Sequence, residues 1–291
     1  MGTIIKRLLV FFIGVPVVVF IILFLPHFHH LTLNIIVIVF SALGAVEFAA
    51  ILGKKQMRIS ITEAVIFGSF APLACTLITC FNFPLWIIPV FFMSAVCWVM
   101  LTLAFTRHAN MLNAINRLAG CSSVIIYPGL FMSWLVKMSE WEISSAILFF
   151  VIIIFCNDSA SWLAGSLFGA NNKGIFPASP NKSIAGYIGG IIGVIIISVS
   201  AALVIPYVSS LTPYFFPGSN YFVRIIILGV ITAIFGNFGD LAESAIKRSV
   251  NIKDSGNLML GRGGILDSID SFALSAPVYF LLFNIFFIYS R

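Results

Sequence analysis

Four of the five aspartates in this 291-residue chain lie between residues 240 and 270. Asp267 and Asp270 are three residues apart, so a helix would place both carboxylates on one face. Asp240 and Lys247, seven residues apart, share a helix face in the same way. Two such carboxylates beside a third from another helix form an oxygen-rich site, which Mg²⁺ prefers, with waters and phosphate oxygens completing the shell. The spacing favours a metal site, and a salt-bridged loop is the alternative.

Basic side chains that suit phosphate oxygens accompany these acids. Lys247, Arg248, Lys253 and Arg262 all fall in the same stretch, next to Asp254. A metal ion and cationic side chains supply the charge stabilisation that phosphoryl and nucleotidyl transfer mainly need. None of the histidines is placed for catalysis, and a phosphate nucleophile, already anionic, needs no strong base. The stretch therefore predicts transfer of a phosphoryl or nucleotidyl group to a lipid substrate.

Two earlier segments carry further candidate residues. Asp158 lies in an apolar run, where an acid is costly unless it faces a partner, a cavity or an ion; the alternative is a packing aspartate bonded to Ser161. Ser179 and Lys182 precede a glycine-rich helix start, whose free N–H groups suit phosphate oxygens. A turn at Pro180 and a lysine that sets topology explain that second segment almost as well.

The composition identifies an integral membrane protein. The chain is 60% hydrophobic and 9% charged, with a mean hydropathy of +1.11, far from the range of soluble globular proteins. Its apolar runs of about 20 residues predict helices and not a barrel. The net charge of +6 is spread between apolar runs as a topology signal would be, which argues against nucleic-acid binding. The cysteines lie in apolar runs without a C-x-x-C pair, which argues against disulfides and zinc.

The apolar windows predict an all-α fold with nine transmembrane helices. The first is read as a retained span and not a signal peptide, because Pro-His-Phe-His-His follows it in place of a small-residue cleavage site. The predicted spans cover residues 8–25, 32–52, 63–80, 84–106, 119–136, 143–165, 185–208, 222–243 and 271–289.

The distribution of lysine and arginine predicts a cytoplasmic N-terminus. With that orientation every lysine and arginine except Lys137, Arg224 and Arg291 falls on the cytoplasmic side. All five aspartates then converge on the cytoplasmic face. The first five spans contain only Glu47 and Glu63 as acids. We therefore interpret residues 1–142 as an N-terminal scaffold of about five spans and residues 143–291 as the catalytic region.

Three segments, in order, resemble the phosphatidate cytidylyltransferase family, also called CDP-diacylglycerol synthases. The resemblance covers roughly residues 150–275, and the N-terminal half is similar to the family only in hydropathy. The segments read Asn157-Asp158-x6-Gly165-x3-Gly169, then Ser179-Pro180-x-Lys182-Ser183-x2-Gly186-x2-Gly189-Gly190, then Ser244-x2-Lys247-Arg248-x4-Lys253-Asp254-x-Gly256-x4-Gly261-x-Gly263-Gly264-x2-Asp267-x2-Asp270.

The resemblance implies that CTP and phosphatidate react to give CDP-diacylglycerol and pyrophosphate, with Mg²⁺ and, as a second ion, a monovalent cation such as K⁺. It implies Asp240 and Asp267 as the main metal ligands, supported by Asp270. It also implies roles in binding substrate. Those assignments fall on Asp158, Ser179, Lys182, Lys247, Arg248, Lys253, Asp254 and Arg262, with Asp240, Lys247, Asp267 and Asp270 as the catalytic set.

The chain departs from the family pattern in several places. Arg262 stands where the family usually has histidine, Ser268 stands where it has arginine, and Ala185 stands where it has a carboxylate. The metal-binding aspartates are retained. Our hypothesis is that Arg262 replaces the phosphate-binding charge lost at Ser268.

Three alternatives remain open. A CTP-dependent lipid-alcohol kinase would transfer the γ-phosphate in place of the nucleotidyl group. An ion-coupled transporter would also use acids in the membrane, but it predicts inverted repeats and acids near the midplane in both halves, which the sequence lacks. A catalytically silent homologue would fit the departures.

The expected partners are CTP, phosphatidate and membrane lipid. The resemblance and the large apolar surface favour a homodimer, although the sequence leaves the oligomeric state open. The lack of a transit-like leader or retention signal favours a bacterial inner membrane, with the active site facing the cytoplasm.

Overall fold

The computed structural model describes residues 13–105, 113–204, 220–259 and 263–289. These residues form helices joined by short connections, with isolated β-bridges and no strand. In chain order the helices are α1 (Val15–Phe24), α2 (His27–Gly53), α3 (Ile61–Phe81), α4 (Ile87–Ala104), α5 (Ala114–Trp141), α6 (Ser144–Phe168), α7 (Ile184–Val204), α8 (Tyr221–Ser249) and α9 (Leu266–Ile288).

Eight of the helices in the described ranges, α2 to α9, are long and apolar enough to cross a membrane. The predicted all-α polytopic membrane fold is confirmed. The first predicted span, residues 8–25, is described only from residue 13 onward, where α1 has 10 residues. The total of nine spans and the cytoplasmic N-terminus stay predictions.

The start of α9 differs from the sequence-based boundary by five residues. The helix begins at Leu266, before the predicted start at residue 271, so Asp267 lies in its first turn. Its first two turns contain the aspartates and serines of residues 267–271, and these polar residues lowered the local hydropathy on which the boundary was based.

The chain divides into two compact units. The N-terminal unit comprises Met1–Glu142 and Ser249–Ile269, and the C-terminal unit comprises Ile143–Arg248 and Asp270–Arg291. The loop before α9 thus packs with the N-terminal half of the chain. The assignment of scaffold and catalytic roles to residues 1–142 and 143–291 stays a prediction about function.

In the N-terminal unit, the Glu63 side chain links three helices, α3, α4 and α5. It forms a capping box with Ser60 at the start of α3. Its Oε1 accepts hydrogen bonds from Trp98 Nε1 in α4 at 3.1 Å and from Arg117 in α5 at 2.6 Å. This buried carboxylate is therefore fully used in holding helices together.

In the C-terminal unit, α6 and α7 approach closely through glycine. A Cβ at Gly189 would overlap Ala164, and one at Gly190 would lie 2.6 Å from the Asn157 Oδ1 atom. Small residues permit such close contact between membrane helices. Tyr279 of α9 donates its hydroxyl proton to the Ala146 carbonyl of α6 at 2.7 Å, which ties α9 to the same group of helices.

Candidate active site

A cavity of about 420 Å³ lies in the C-terminal unit, bounded by α6, α7, α8 and the connection between α6 and α7. Its volume falls in the range of small-molecule sites. Residues from the first two sequence segments that carry the family resemblance line it, together with two residues of α8, the helix that leads into the third segment. They are Asp158, Ser161, Trp162, Gly165, Ser166, Lys173, Asn181, Lys182, Ser183, Gly186, Tyr187, Asn237 and Asp240.

Lys182 and Asp240 form an ion pair at the edge of this cavity. Both side chains remain partly accessible, at 27% for Lys182 and 33% for Asp240. Ser244, one turn further along α8, contacts the other carboxylate oxygen of Asp240 at 3.5 Å. Because both groups are accessible, a charged ligand can replace the ion pair. The lysine would then bind a phosphate, and the carboxylate would bind a cation.

Polar atoms without a hydrogen-bond partner face the same space. In the part of the chain that the structure describes, the buried Ser161 Oγ and Tyr187 hydroxyl have no such partner. Both residues line the cavity. Buried polar groups are normally satisfied, so unpaired atoms lining a cavity indicate a polar ligand or ordered water. The Lys182 Nζ atom also lies 5.7 Å from the centre of the Tyr187 ring.

Asparagines on facing helices fix the cavity wall. The Asn157 amide donates to Asn237 Oδ1 at 2.8 Å, which links α6 to α8 next to Asp158 and Asp240. Only 1% of Asn157 is exposed. This hydrogen bond therefore fixes the position of Asp158, next to Asn157, relative to Asp240, one turn after Asn237.

A group of carboxylates surrounds Asp270 in the C-terminal unit. Asp270 is 7% exposed, and Asp240, Glu243 and Asp158 all lie within electrostatic reach of it. A Cβ at Gly239 would overlap the Asp270 carbonyl, so this glycine allows α8 to approach α9 closely. Repulsion among these acids is relieved by cations.

Two lysines lie among these acids. Lys182 pairs with Asp240, and Lys247 pairs with the buried Glu243. The assignment of Asp240 and Asp270 as metal ligands stays a prediction; both carboxylates belong to this acidic group. Within the described residues, no three His, Cys, Asp or Glu side chains form a ready group of metal ligands. Water and phosphate oxygens would complete the shell, as is usual for Mg²⁺.

Asp267 lies in the N-terminal unit and is held by the loop before α9. Its Oδ2 atom accepts hydrogen bonds from the Ser255 N–H at 2.8 Å, the Ser255 hydroxyl at 2.8 Å and the Gly264 N–H at 2.7 Å. Gly263 has a φ of +103°, which a side chain rarely adopts, and a Cβ there would lie 2.5 Å from the same carboxylate oxygen. The glycines thus let the loop fold around Asp267.

The remaining predicted residues are placed as follows. Ser179 does not line the cavity; its carbonyl accepts the Lys182 N–H at 3.1 Å, so it forms the turn that presents this lysine. Arg248, Lys253 and Asp254 are exposed. Arg262 lies outside the described residues. The structure brings Asp158, Lys182 and Asp240 together, and a joint site of Asp267 with Asp240 and Asp270 stays a prediction.

Sequence reasoning missed several residues around the site. It did not assign a role to Tyr187 or Asn237, and it treated Ser161 only as a packing partner of Asp158. It placed Glu47 in a scaffold. Asn157 belongs to the first of the quoted motifs. For Glu47 the available signal was the scarcity of acids, because it is one of only two in the first five predicted spans.

Comparison with known proteins decides the family. A family model described as the cytidylyltransferase family matches residues 5–286. The chain belongs to the cytidylyltransferase family. This match extends through the N-terminal half, which contains none of the quoted motifs. It confirms the resemblance drawn from the three segments.

Members of the cytidylyltransferase family named phosphatidate cytidylyltransferase are similar to this chain. The Bacillus subtilis protein is 29% identical over 192 residues, covering 63% of this chain and 65% of that protein. The Staphylococcus haemolyticus protein is 30% identical over 200 residues, covering 68% and 71%. The Staphylococcus saprophyticus protein is 32% identical over 165 residues, covering 56% and 58%. The chain thus spans slightly less than two thirds of the Bacillus subtilis relative.

Proposed function

We propose that this protein is a phosphatidate cytidylyltransferase. A phosphate oxygen of phosphatidate attacks the α-phosphorus of CTP. The bond between that phosphorus and the bridging oxygen to the β-phosphate breaks, so CDP-diacylglycerol forms and pyrophosphate leaves. The observation that carries the proposal is the cavity where Lys182 and Asp240 meet beside unpaired hydroxyls, in a chain of this family.

The residues of the cavity have distinct parts in this proposal. Lys182, presented by the turn at Ser179, binds a phosphate of CTP. The hydroxyls of Ser161 and Tyr187 donate to polar atoms of the bound nucleotide, which gives both of these buried groups a partner. Asp158 lies beside them in the cavity lining and orients the same ligand.

Mg²⁺ is the proposed cofactor, with Asp240 and Asp270 as its ligands and Asp267 as a third. When bound, the ion would neutralise the charge that develops on the departing pyrophosphate. Lys247 lies beside these acids and adds positive charge to the substrate phosphates, while the exposed Arg248 and Lys253 bind the phosphate of phosphatidate, with Asp254 next to Lys253 in the substrate site. K⁺ is proposed as a second ion.

Assembly and location are further parts of the proposal. We place the protein in a bacterial plasma membrane with its site open to the cytoplasm, where CTP is available. A homodimer would cover part of the apolar surface. Crosslinking in native membranes would test the dimer, and labelling of Lys253 in sealed vesicles of known orientation would test which side the loop faces.

The test of function is a product assay in purified membranes. Incubation with labelled CTP, phosphatidate and Mg²⁺ should yield CDP-lipid and pyrophosphate in equal amounts. A lipid-alcohol kinase would instead release CDP and phosphorylate an added lipid alcohol, while a transporter or a silent homologue would form neither product. Formation of CDP from CTP without CDP-lipid would overturn the proposal.

A further inference from the structure

Glu47, in α2, contacts the loop before α9 and the first residue of α9, next to Asp267. Its Oε2 atom accepts the Leu266 N–H at 2.8 Å and lies 3.0 Å from the Ser255 hydroxyl. Glu47 is only 7% exposed. Burying a carboxylate is costly unless it is hydrogen-bonded, so its position depends on these loop donors. The helix and the loop therefore hold each other within the N-terminal unit.

Ser255 connects Glu47 to Asp267. Its hydroxyl is 3.0 Å from Glu47 Oε2 and 2.8 Å from Asp267 Oδ2. A hydroxyl has one proton, so it donates to one of the two carboxylates at a time. Each carboxylate also has a backbone donor of its own: Leu266 N–H for Glu47 and Gly264 N–H for Asp267. The arrangement is kept whichever way the hydroxyl turns.

The glycines of the loop fit around Glu47. A Cβ at Gly256 would overlap the Oε1 atom of Glu47, and a Cβ at Gly264 would overlap its Oε2 atom and the Ser255 hydroxyl. Both glycines belong to the third motif quoted from the sequence. The lack of side chains at these two positions thus leaves room for the Glu47 carboxylate of α2, a helix that the sequence analysis interpreted as scaffold.

We propose that Glu47 is a positioning residue for the transferase reaction. Through Leu266 N–H and Ser255 it fixes the loop that orients the Asp267 carboxylate. The inference rests on the proposed function and deepens it, because it assigns part of the reactive site to the first long helix. Residues that orient reactive carboxylates from behind commonly change activity by roughly 10–100-fold when removed.

Three variants of the full-length protein test the role of Glu47. Glu47→Ala should lower kcat roughly 10–100-fold, with the KM for CTP changed by less than about threefold, since Glu47 acts on Asp267 and not on the nucleotide cavity. Glu47→Gln keeps an oxygen that accepts from Leu266 N–H and Ser255, so it should retain most of the wild-type kcat. Glu63→Gln is the matched control, because Glu63 is also a buried acid of the N-terminal unit and bonds Ser60, Trp98 and Arg117 instead.

Hydrogen exchange measured without metal gives a second readout. Amides in the peptide covering residues 255–266 should exchange faster in Glu47→Ala than in wild type, and at the wild-type rate in Glu47→Gln and Glu63→Gln. A Glu47→Ala protein with normal kcat, or one that loses kcat with unchanged exchange in this peptide, overturns the inference. An equal loss of kcat in Glu63→Gln overturns it too, because the effect would then be general destabilisation.

The wild-type protein separates this inference from the proposed function. If wild type forms no CDP-lipid, the proposed function fails and the catalytic part of the inference fails with it. If wild type is active and Glu47→Ala is equally active, only the role of Glu47 fails.

Discussion

The carboxylates of the two units are held in different ways. In the N-terminal unit, Asp267 and Glu47 accept backbone N–H groups of one glycine-rich loop and share the Ser255 hydroxyl. In the C-terminal unit, Asp240 pairs with a lysine side chain that is itself partly accessible. Backbone donors are fixed by the fold, whereas a lysine has a flexible stem and moves with its partner. The first arrangement is rigid, and the second is able to change partners when a charged ligand binds.

The largest effect on activity is expected from removing the charge of Asp240, the acid that is paired with an accessible lysine. Asp240→Asn should lower the rate of CDP-lipid formation by roughly 100–1,000-fold, the range seen when a preorganised charge-stabilising group is lost. The matched control is Glu140→Gln, since the Lys137–Glu140 pair has similar accessibility, with 24% and 32% of the side chains exposed. If both variants lose activity equally, or neither does, the special role of Asp240 is disproved.

A large loss of activity is also expected when Asp267, the acid held by backbone donors, loses its charge and keeps its hydrogen bonds. Asp267→Asn retains an oxygen for the Ser255 and Gly264 donors, so hydrogen exchange in the loop should stay near wild type. The rate of CDP-lipid formation should still fall by roughly 100-fold, because the negative charge on the proposed metal ligand is gone. Full activity in this variant would show that Asp267 serves only to hold the loop.

A smaller effect is expected from the unpaired hydroxyls of the cavity. Ser161→Ala and Tyr187→Phe should each raise the KM for CTP by roughly 2–10-fold, the equivalent of one hydrogen bond. Neither hydroxyl has a partner within the described residues, so thermal stability should not fall. Ser198→Ala is the control: Ser198 is a buried α7 serine with an unpaired hydroxyl that does not line the cavity. An equal KM change in the control would argue against a nucleotide contact.

The smallest effect is expected from the exposed bases near the loop. Lys253→Ala should raise the KM for phosphatidate only about twofold to threefold, because solvent and salt screen an exposed charge. The effect should shrink further as the salt concentration rises. Lys54→Ala, which removes an exposed lysine of the same unit elsewhere, should leave this KM unchanged. A tenfold effect of Lys253→Ala would place that lysine within the reactive site.

The sequence was informative about helices because long apolar runs leave few alternatives in lipid. It was less informative where polar residues enter a span, as at Asp267 and Asp270, which lie inside α9 and not before it. Motif spacing selected Asp158, Lys182 and Asp240, which the fold brings to one cavity. These residues are charged and rare in an apolar chain, so their presence requires a reason.

Uncharged and distant partners could not be read from the sequence. Tyr187 and Ser161 resemble ordinary membrane-helix residues until their unpaired hydroxyls are seen in a cavity wall. Glu47 carried a charge but no motif, and its partners are contributed by a loop that only tertiary packing brings to α2. Spacing rules describe neighbours on one helix, whereas this contact depends on the complete fold.

The distance along the chain between Glu47 and its partners has a consequence for biogenesis. Ser255 lies 208 residues after Glu47, and Leu266 lies 219 residues after it. At a synthesis rate of about 5–20 residues per second, α2 waits roughly 10–40 s before the loop leaves the ribosome. Throughout that interval the newly inserted helix carries a carboxylate without its eventual partners. The reactive loop is thus completed late, after α8, and a chain that stops early or inserts α2 wrongly should accumulate without gaining activity.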